Sequence, residues 1–305
     1  MRLILQIIIF FVFANQEVSA QKPYVLVLGT AQDGGFPQAG CKKECCKSVW
    51  ENKIPHQGVS SLALIDPISK QKWIFDATPD FPEQLHLLNK HTGGSTPVDG
   101  VFLTHAHIGH YTGLMHLGRE VMGSSKVKVF AMPIMKDFLE NNGPWSQLVS
   151  IQNIEIRKIE EAEVIVLNER IKVVPFRVPH RDEFSETVGY KIITNDKSLI
   201  FIPDIDKWQK WDKNLVDVVK ENDVLVLDGT FYKDGEIARP MSEVPHPFIT
   251  ETVELLSNLP KYEKNKVKFI HLNHTNPILQ THSKERKDLK MKGFAWVETG
   301  QKIEL

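Results

Sequence analysis

Cysteine is scarce in this sequence, which has three in 305 residues, and Cys41, Cys45 and Cys46 all fall within six positions. A disulfide framework needs cysteines that are spread along the chain, so disulfides cannot link distant parts of this fold. The 42% of hydrophobic residues can instead supply a sizeable core. We therefore expect a globular protein that is held together by packing.

The sequence also lacks an excess of charge of either sign, with 37 Lys and Arg residues against 38 Asp and Glu residues. No global field therefore favours nucleic acid or an anionic membrane surface, and neither is predicted as a partner. An anionic substrate would have to be held locally.

The apolar run near the start of the chain is too short to cross a bilayer, which takes about 20 residues. Leu3 to Phe13 form this run, which follows Arg2 and precedes Val18-Ser19-Ala20. A basic residue, a short apolar segment and small residues at a cleavage site are typical of a signal peptide. Residues 1–20 are therefore predicted to be removed, which would give a periplasmic or secreted protein. The alternative is an uncleaved membrane anchor.

Low-complexity stretches and linkers rich in Gly, Pro or Ser are absent after the signal, which favours one domain over residues 21–305. Short β-branched runs alternate with amphipathic segments, a pattern that indicates an α/β fold. Helices are expected after Pro79, His110, Pro133, Lys207 and His246. Strands are expected at Tyr24–Thr30, Ser61–Asp66, Lys72–Asp76, Gly100–Thr104, Lys126–Ala131, Glu163–Leu167, Ile171–Pro175, Val188–Thr194, Ser198–Ile202, Val224–Asp228 and Lys268–Leu272, and around Ala295 and Ile303.

Two of these segments resemble each other, because an apolar run ends on Asp76 in one and on Asp204 in the other, and a helical segment follows each. The similarity favours two β-rich halves that pack face to face. Such halves would form a four-layer αββα sandwich with a site along one edge of the two sheets.

Three histidines follow a predicted buried strand, in the segment Thr104-His105-Ala106-His107-Ile108-Gly109-His110. Side chains alternate along an extended chain, so His105 and His107 would face the same side, about 6.5 to 7 Å apart. They can share a metal ion when the loop curls, and His110 can face a second ion from the next turn. The alternative is that all three are solvated surface residues.

Other candidate residues also follow apolar runs, where a rigid scaffold can present side chains to a site. Each alone would more often be a capping or turn residue, but beside the histidine segment they indicate a metal centre. They are Asp76, His180, Asp204, Asp228, His271 and His274.

The clustered cysteines have two interpretations. Cys41, one or both of Cys45 and Cys46, and His274 would suit a structural zinc ion, because thiolate and imidazole are zinc ligands. In an oxidising compartment, Cys41 could instead form a disulfide with Cys45 or Cys46 and leave one thiol over.

In this order the motifs resemble the metallo-β-lactamase superfamily over nearly the whole chain, from Val25 to Leu305. The resemblance implies the αββα sandwich and one or two catalytic ions, either zinc or, as alternatives, manganese or iron. It implies that Asp76 orients a ligand histidine or positions the water. The implied ligands are His105, His107 and His180 at the first ion, Asp204 as the bridge, and His110 and His271 at the second ion.

One position departs from the pattern His-x-His-x-Asp-His of that superfamily, because this chain has Gly109 where the pattern has Asp. The second ion would then lose a carboxylate and rely on His110, Asp204 and His271. We therefore expect a single bound ion or a loosely held second one.

A narrower resemblance connects this chain with the PqqB proteins of pyrroloquinoline quinone biosynthesis. Those proteins usually lack the complete histidine motif and a signal peptide, so the resemblance implies a common subfamily rather than a common role. It is carried by Leu28–Ala31, Gly34–Gln38, the cysteine cluster, Gly113-Leu114, Arg119-Glu120, Asp228-Gly-Thr and Asn273–Leu279.

The flanking segments are also similar to the phosphodiesterase branch, which includes tRNase Z and the cyclic phosphodiesterases. That similarity implies that His246, oriented by Asp228, protonates the leaving group. The alternative is that His246 merely begins a helix between Pro245 and Pro247. The sequence thus predicts a hydrolase that uses metal-activated water on a small-molecule phosphodiester or related ester. A PqqB-like oxidative enzyme with redox-active iron and a catalytically silent binding module are the alternatives.

Overall fold

The computed structural model describes residues 21–94, 97–238, 240 and 243–305. The predicted signal peptide, residues 1–20, lies outside the described residues, so its cleavage stays a prediction. Within the described ranges, no helix is long and apolar enough to span a bilayer.

Within the described ranges, the strands form two sheets of seven, and they are numbered here in chain order. The first sheet contains, in spatial order, β14 (Lys302–Glu304), β1 (Tyr24–Gly29), β2 (Ser61–Asp66), β3 (Gln71–Phe75), β4 (Gly100–Phe102), β5 (Val127–Ala131) and β6 (Ile154–Lys158). The second contains β13 (Ala295–Trp296), β12 (Val267–Ile270), β11 (Val224–Asp228), β10 (Ser198–Ile202), β9 (Val188–Thr194), β8 (Ile171–Arg177) and β7 (Ile165–Asn168).

The helices are mostly short. They are α1 (Glu44–Trp50), α2 (Phe81–Thr92), α3 (Ile108–Tyr111), α4 (Pro133–Asn141), α5 (Trp145–Ser150), α6 (Leu215–Glu221), α7 (Ile249–Leu255), α8 (Lys261–Lys264) and α9 (Lys284–Met291). Short 3₁₀ helices occur at Thr112–Leu117, Trp208–Lys210 and Pro277–Leu279.

The two sheets repeat one pairing pattern. From β14 through β1 and β2 to β3 the pairs are antiparallel, and from β3 to β6 they are parallel. From β7 to β10 the pairs are again antiparallel, and from β10 to β13 they are parallel. Strand β3 thus corresponds to β10, and the two strands are followed by Asp76 and Asp204 respectively. The predicted organisation of two similar halves matches this topology.

The central strands are apolar on both faces because both faces are covered. In β1, Val25 and Val27 pack between the two sheets, whereas Leu26 and Leu28 pack against helices outside the first sheet. Helices α2, α4 and α5 cover that outer face, and α6, α7 and α9 cover the outer face of the second sheet. The predicted four-layer αββα sandwich is confirmed.

Candidate metal centre

The histidine segment leaves the end of β4 and enters α3, and its first two rings converge on one point. The Nε2 atom of His105 lies 2.8 Å from the Nδ1 atom of His107. The remaining nitrogen of His107, Nε2, lies 2.9 Å from a carboxylate oxygen of Glu183. Glu183 thus fixes the ring so that Nδ1 faces His105.

His180 and Asp204 complete this first group, in which one ligand atom from each of the four residues lies within 4.8 Å of the others. The carboxylate of Asp204 lies 3.4 Å from Nε2 of His105 and 3.3 Å from Nε2 of His180. Ligands bound tetrahedrally to zinc at 2.0–2.1 Å are about 3.3 Å apart. The two separations from Asp204 therefore fit one ion held between the four side chains, whereas the rings of His105 and His107, at 2.8 Å, would have to move slightly apart.

A second group, which the sequence did not predict in full, joins Asp33 to His110 and His271. The Oδ1 atom of Asp33 lies 3.2 Å from Nε2 of His110 and 3.9 Å from Nε2 of His271. These three atoms are buried and form no well-aligned hydrogen bond with the described residues. Buried polar atoms are nearly always paired, so three that face one another indicate a site for a cation.

Asp204 lies between the two groups. Its Oδ2 atom lies 3.4 Å from Nε2 of His105 in the first group. The same atom lies 3.9 Å from Nε2 of both His110 and His271 in the second group. Burial opposes ionisation of this carboxyl, but His180, His246 and His271 hold its pKa well below the ordinary value. The side chain is therefore a carboxylate that lies within reach of both groups.

Acid–threonine pairs orient the histidines. Asp76 accepts hydrogen bonds from the hydroxyl of Thr104 and lies 2.7 Å from Nδ1 of His110. On the other sheet the Thr230 hydroxyl donates to Asp228 at 2.7 Å and lies 2.9 Å from Nδ1 of His271. Both networks place the ring proton on Nδ1, which leaves Nε2 free to bind a metal. The contact between Asp76 and His110 fits the expected orienting role of Asp76, which stays a prediction.

Two of these residues have unfavourable backbone conformations. Asp76 has a φ of 66° and His271 a φ of 61°, both in the left-handed region. Such a conformation costs about 1–3 kcal/mol for a residue with a side chain and persists only where the surrounding structure holds it. Each residue comes within one position of the end of a buried strand.

His246 lies beside both groups, with Nδ1 2.9 Å from Asp228 and 3.1 Å from Asp204. Burial opposes its charged form, but these two carboxylates outweigh burial and raise the pKa of His246 to about 10. Helix α7 begins only at Ile249, with Phe248 as its N-cap, so the alternative in which His246 begins that helix is wrong. Asp204, His246 and His271 also lie within 4.8 Å of one another, which makes His246 a candidate ligand.

The cysteine cluster forms a separate group with His274. The sulfur atoms of Cys41 and Cys45 are 3.8 Å apart, and all three thiols are free. Tetrahedral zinc with sulfur ligands at about 2.3 Å would place two sulfurs about 3.8 Å apart. Nδ1 of His274 is buried and has no hydrogen-bond partner in the described part of the chain. His271 and His274 thus belong to different candidate sites.

The family model described as Beta-lactamase superfamily domain matches residues 72–272. The chain belongs to the β-lactamase superfamily. Coenzyme PQQ synthesis protein B from Methylorubrum extorquens (strain PA1) is 24% identical, over 92% of this chain and 100% of that protein. The protein of the same name from Acinetobacter baylyi is 28% identical, over 87% of this chain and 94% of its own length. The predicted closeness to PqqB proteins is confirmed.

Solved structures of the superfamily share the fold. Zn²⁺-bound PqqB from Methylobacterium extorquens has a TM-score of 0.76 at 21% identity, over 92% of this chain and 100% of that one. A diphosphatase from the PhnP family has a TM-score of 0.66 at 21% identity, over 93% of this chain and 98% of that one. The short form of human tRNase Z has a TM-score of 0.56 at 14% identity, over 92% and 98%.

The departure from the superfamily pattern at Gly109 led us to expect a second ion with no carboxylate ligand besides Asp204. In the structure, a further carboxylate, that of Asp33, lies in the second group. Sequence reasoning missed Asp33 because no apolar strand precedes it directly and it is far from the histidines in the chain. It also missed Thr104, Thr230 and Glu183, which contact ligand histidines through their other nitrogen.

Proposed function

We propose that this protein is a hydrolase that uses metal-activated water to cleave a small-molecule phosphodiester or related ester. The shared carboxylate supports this most directly, because Oδ2 of Asp204 lies near two adjacent groups of ligands, at 3.4 Å from His105 and 3.9 Å from His271. Paired metal sites of this kind, about 3.5–4 Å apart, are used by phosphatases and nucleases to stabilise the attacking and the leaving oxygen.

The proposal assigns different roles to different residues. His105, His107, His180 and Asp204 would hold the first ion, with further ligands holding a second. Zinc in such a site lowers the pKa of a bound water to about 7 and polarises the oxygen under attack. Burial and the nearby His110 lower the pKa of His105 well below its ordinary value, so the ring is neutral and able to act as a ligand.

His246 would serve the leaving group. Its Nδ1 faces Asp228 and Asp204, so Nε2 is the nitrogen available to pass a proton to the departing oxygen. Asp228 fixes the ring through a contact of 2.9 Å. The carboxylate pair also stabilises the protonated form that a general acid requires.

A second candidate function is an oxidative step in cofactor biosynthesis that uses iron in the same ligand set. It is favoured by the matches to Coenzyme PQQ synthesis protein B over 92% of the chain. Histidine and carboxylate ligands suit iron as well as zinc. In either case we propose that the cysteine cluster with His274 holds a structural zinc ion.

The test is metal analysis of residues 21–305 purified without added metal, combined with a screen of nitrophenyl phosphodiesters, lactones and β-lactams. Zinc or manganese in the histidine sites and phosphodiester hydrolysis would support the proposal, and His107→Ala should abolish both. Bound iron with oxygen consumption and no hydrolysis would favour the oxidative function. Metal-free protein without turnover would favour a silent binding module.

A further inference from the structure

We infer that Asp33 replaces the aspartate that the superfamily pattern has at position 109, so that this chain has a complete second metal site built from a different loop. The inference rests on the proposed metal centre and assigns one of its ligands. The second site would then have a carboxylate ligand, as in the superfamily pattern, instead of being weak or empty.

The space around Gly109 is the first argument. A Cβ atom at position 109 would lie 2.2 Å from Oδ1 of Asp33 and 2.8 Å from its Cα. Both distances are well inside van der Waals contact, so a side chain at 109 and the observed position of Asp33 exclude each other. The carboxylate of Asp33 therefore occupies the volume into which an aspartate at 109 would project.

The direction of the carboxylate is the second argument. Its Oδ1 faces Nε2 of His110 at 3.2 Å and Nε2 of His271 at 3.9 Å, and both of these histidine side chains are fully buried. Its Oδ2 accepts a hydrogen bond from the Gln32 amide at 3.2 Å, so only Oδ1 is left without a partner among the described residues. A buried carboxylate oxygen that faces two imidazole nitrogens, none of which has a well-aligned partner among the described residues, is an arrangement that fits a bound cation.

The loop is held in place by the segment that carries His271, which is the third argument. The amide N–H of Gln32 donates to the Leu272 carbonyl at 2.9 Å, and the Leu272 N–H donates to the Thr30 carbonyl at 2.8 Å. The Asn273 side chain donates to the Gln32 side chain at 2.9 Å. Two backbone bonds and this side-chain bond therefore fix Asp33 opposite His271, as a metal ligand requires.

The experiment exchanges the two residues. Asp33→Asn keeps the shape of the side chain and removes its charge, Asp33→Gly removes it, and Asp33→Gly/Gly109→Asp transfers it to the position of the superfamily pattern. Metal content after dialysis and the affinity for the second Zn²⁺ ion by calorimetry are measured, with the ion at the cysteine cluster common to all variants. Asp33→Gln is too long for the site and is not used.

We expect Asp33→Asn and Asp33→Gly to bind the second ion at least about 10- to 100-fold more weakly. A loss of that size is typical when a residue that only hydrogen-bonds to a metal ligand is replaced, and the loss of a ligand itself should be no smaller. Recovery of affinity in the double variant would support the inference further, although the loop must shift because a Cβ at 109 also lies 2.8 Å from the Cα of residue 33. Wild-type affinity for the second ion in Asp33→Asn would overturn the inference. Circular dichroism separates misfolding from metal loss, and if the double variant misfolds, Asp33→Asn alone decides.

These outcomes are independent of catalysis. If the wild type holds two ions in the histidine sites and Asp33→Asn loses one, the inference stands even when no ester is cleaved. If the wild type cleaves esters and Asp33→Asn keeps both ions at full affinity, the inference fails while the proposed function stands.

Discussion

His105 and His107 face each other through different ring nitrogens, with Nε2 of the first 2.8 Å from Nδ1 of the second. The chain turns into α3 directly after His107, so the two side chains do not stand in simple alternation along a strand. The ring of His107 therefore presents Nδ1, the nitrogen nearer to its own backbone, to His105. Two neutral imidazoles with this geometry can bind one ion jointly.

We therefore expect His107→Ala to lose the first ion and all hydrolytic activity, because two imidazoles and a shared carboxylate leave an incomplete set of ligands. Metal content and turnover of a nitrophenyl phosphodiester are the measurements. The matched control is His56→Ala, since His56 is exposed and lies outside the candidate sites. Retention of the full metal content in His107→Ala would contradict the assignment.

Cys41→Ser should remove about one equivalent of zinc and lower the melting temperature, since structural zinc contributes directly to folding. The cluster with Cys45, Cys46 and His274 supplies the other ligands. A chelator should destabilise the wild type in the same way, whereas a mild reductant should not. If the reductant reproduces the effect and metal content does not change, a disulfide is the better interpretation.

The sequence alone predicts the αββα sandwich and most of the ligands because these residues follow apolar strands that the pattern locates. Strand β6 was not predicted, since it lies at a sheet edge and three of its five residues are charged. Asp33 could not be found in this way, because its role depends on contacts with His110 and His271, which are distant in sequence. The only signal was the missing acid at Gly109.

The free energy of unfolding should fall as the pH rises from 4.5 to about 7, because the ionisation of Glu236 is shifted across this range. Burial raises the pKa of Glu236 from 4.5 to about 7, although N–H groups of Tyr232 and Lys233 and the Thr275 hydroxyl partly oppose this. Between these values the folded protein holds a proton that the unfolded chain has released, so the free energy of unfolding falls as pH rises.

Glu236→Gln removes this ionisation, and at pH 8 it should stabilise the protein by on the order of 2 kcal/mol relative to the wild type. Near pH 4.5 the difference should be small, because both side chains are then neutral. Denaturant unfolding at the two pH values measures the effect. The exposed Glu254→Gln serves as the control, and an equal difference at both pH values would refute the explanation.

Export can be tested on the full-length chain. If residues 1–20 are a signal peptide, the protein recovered outside the cytoplasm should begin near Gln21, because Val18-Ser19-Ala20 offers small residues to signal peptidase. Intact-mass spectrometry gives the N-terminus. Ala20→Arg should block cleavage and retain the leader, whereas a mature wild-type protein that still carries Met1 would refute the prediction.

The last prediction separates binding from chemistry at His246. His246→Ala should keep its metal and lose roughly 10²- to 10⁴-fold in kcat, the usual scale for a positioned general acid. Because Asp228 holds the ring at 2.9 Å, Asp228→Asn should show a smaller loss of the same kind. The loss in His246→Ala should shrink for a nitrophenyl ester, whose leaving group departs without a proton, and stay large for an alkyl ester. Equal losses with both esters would exclude the general-acid role. Loss of one ion in His246→Ala would instead make it a ligand, as its distance of 3.1 Å from Asp204 also allows.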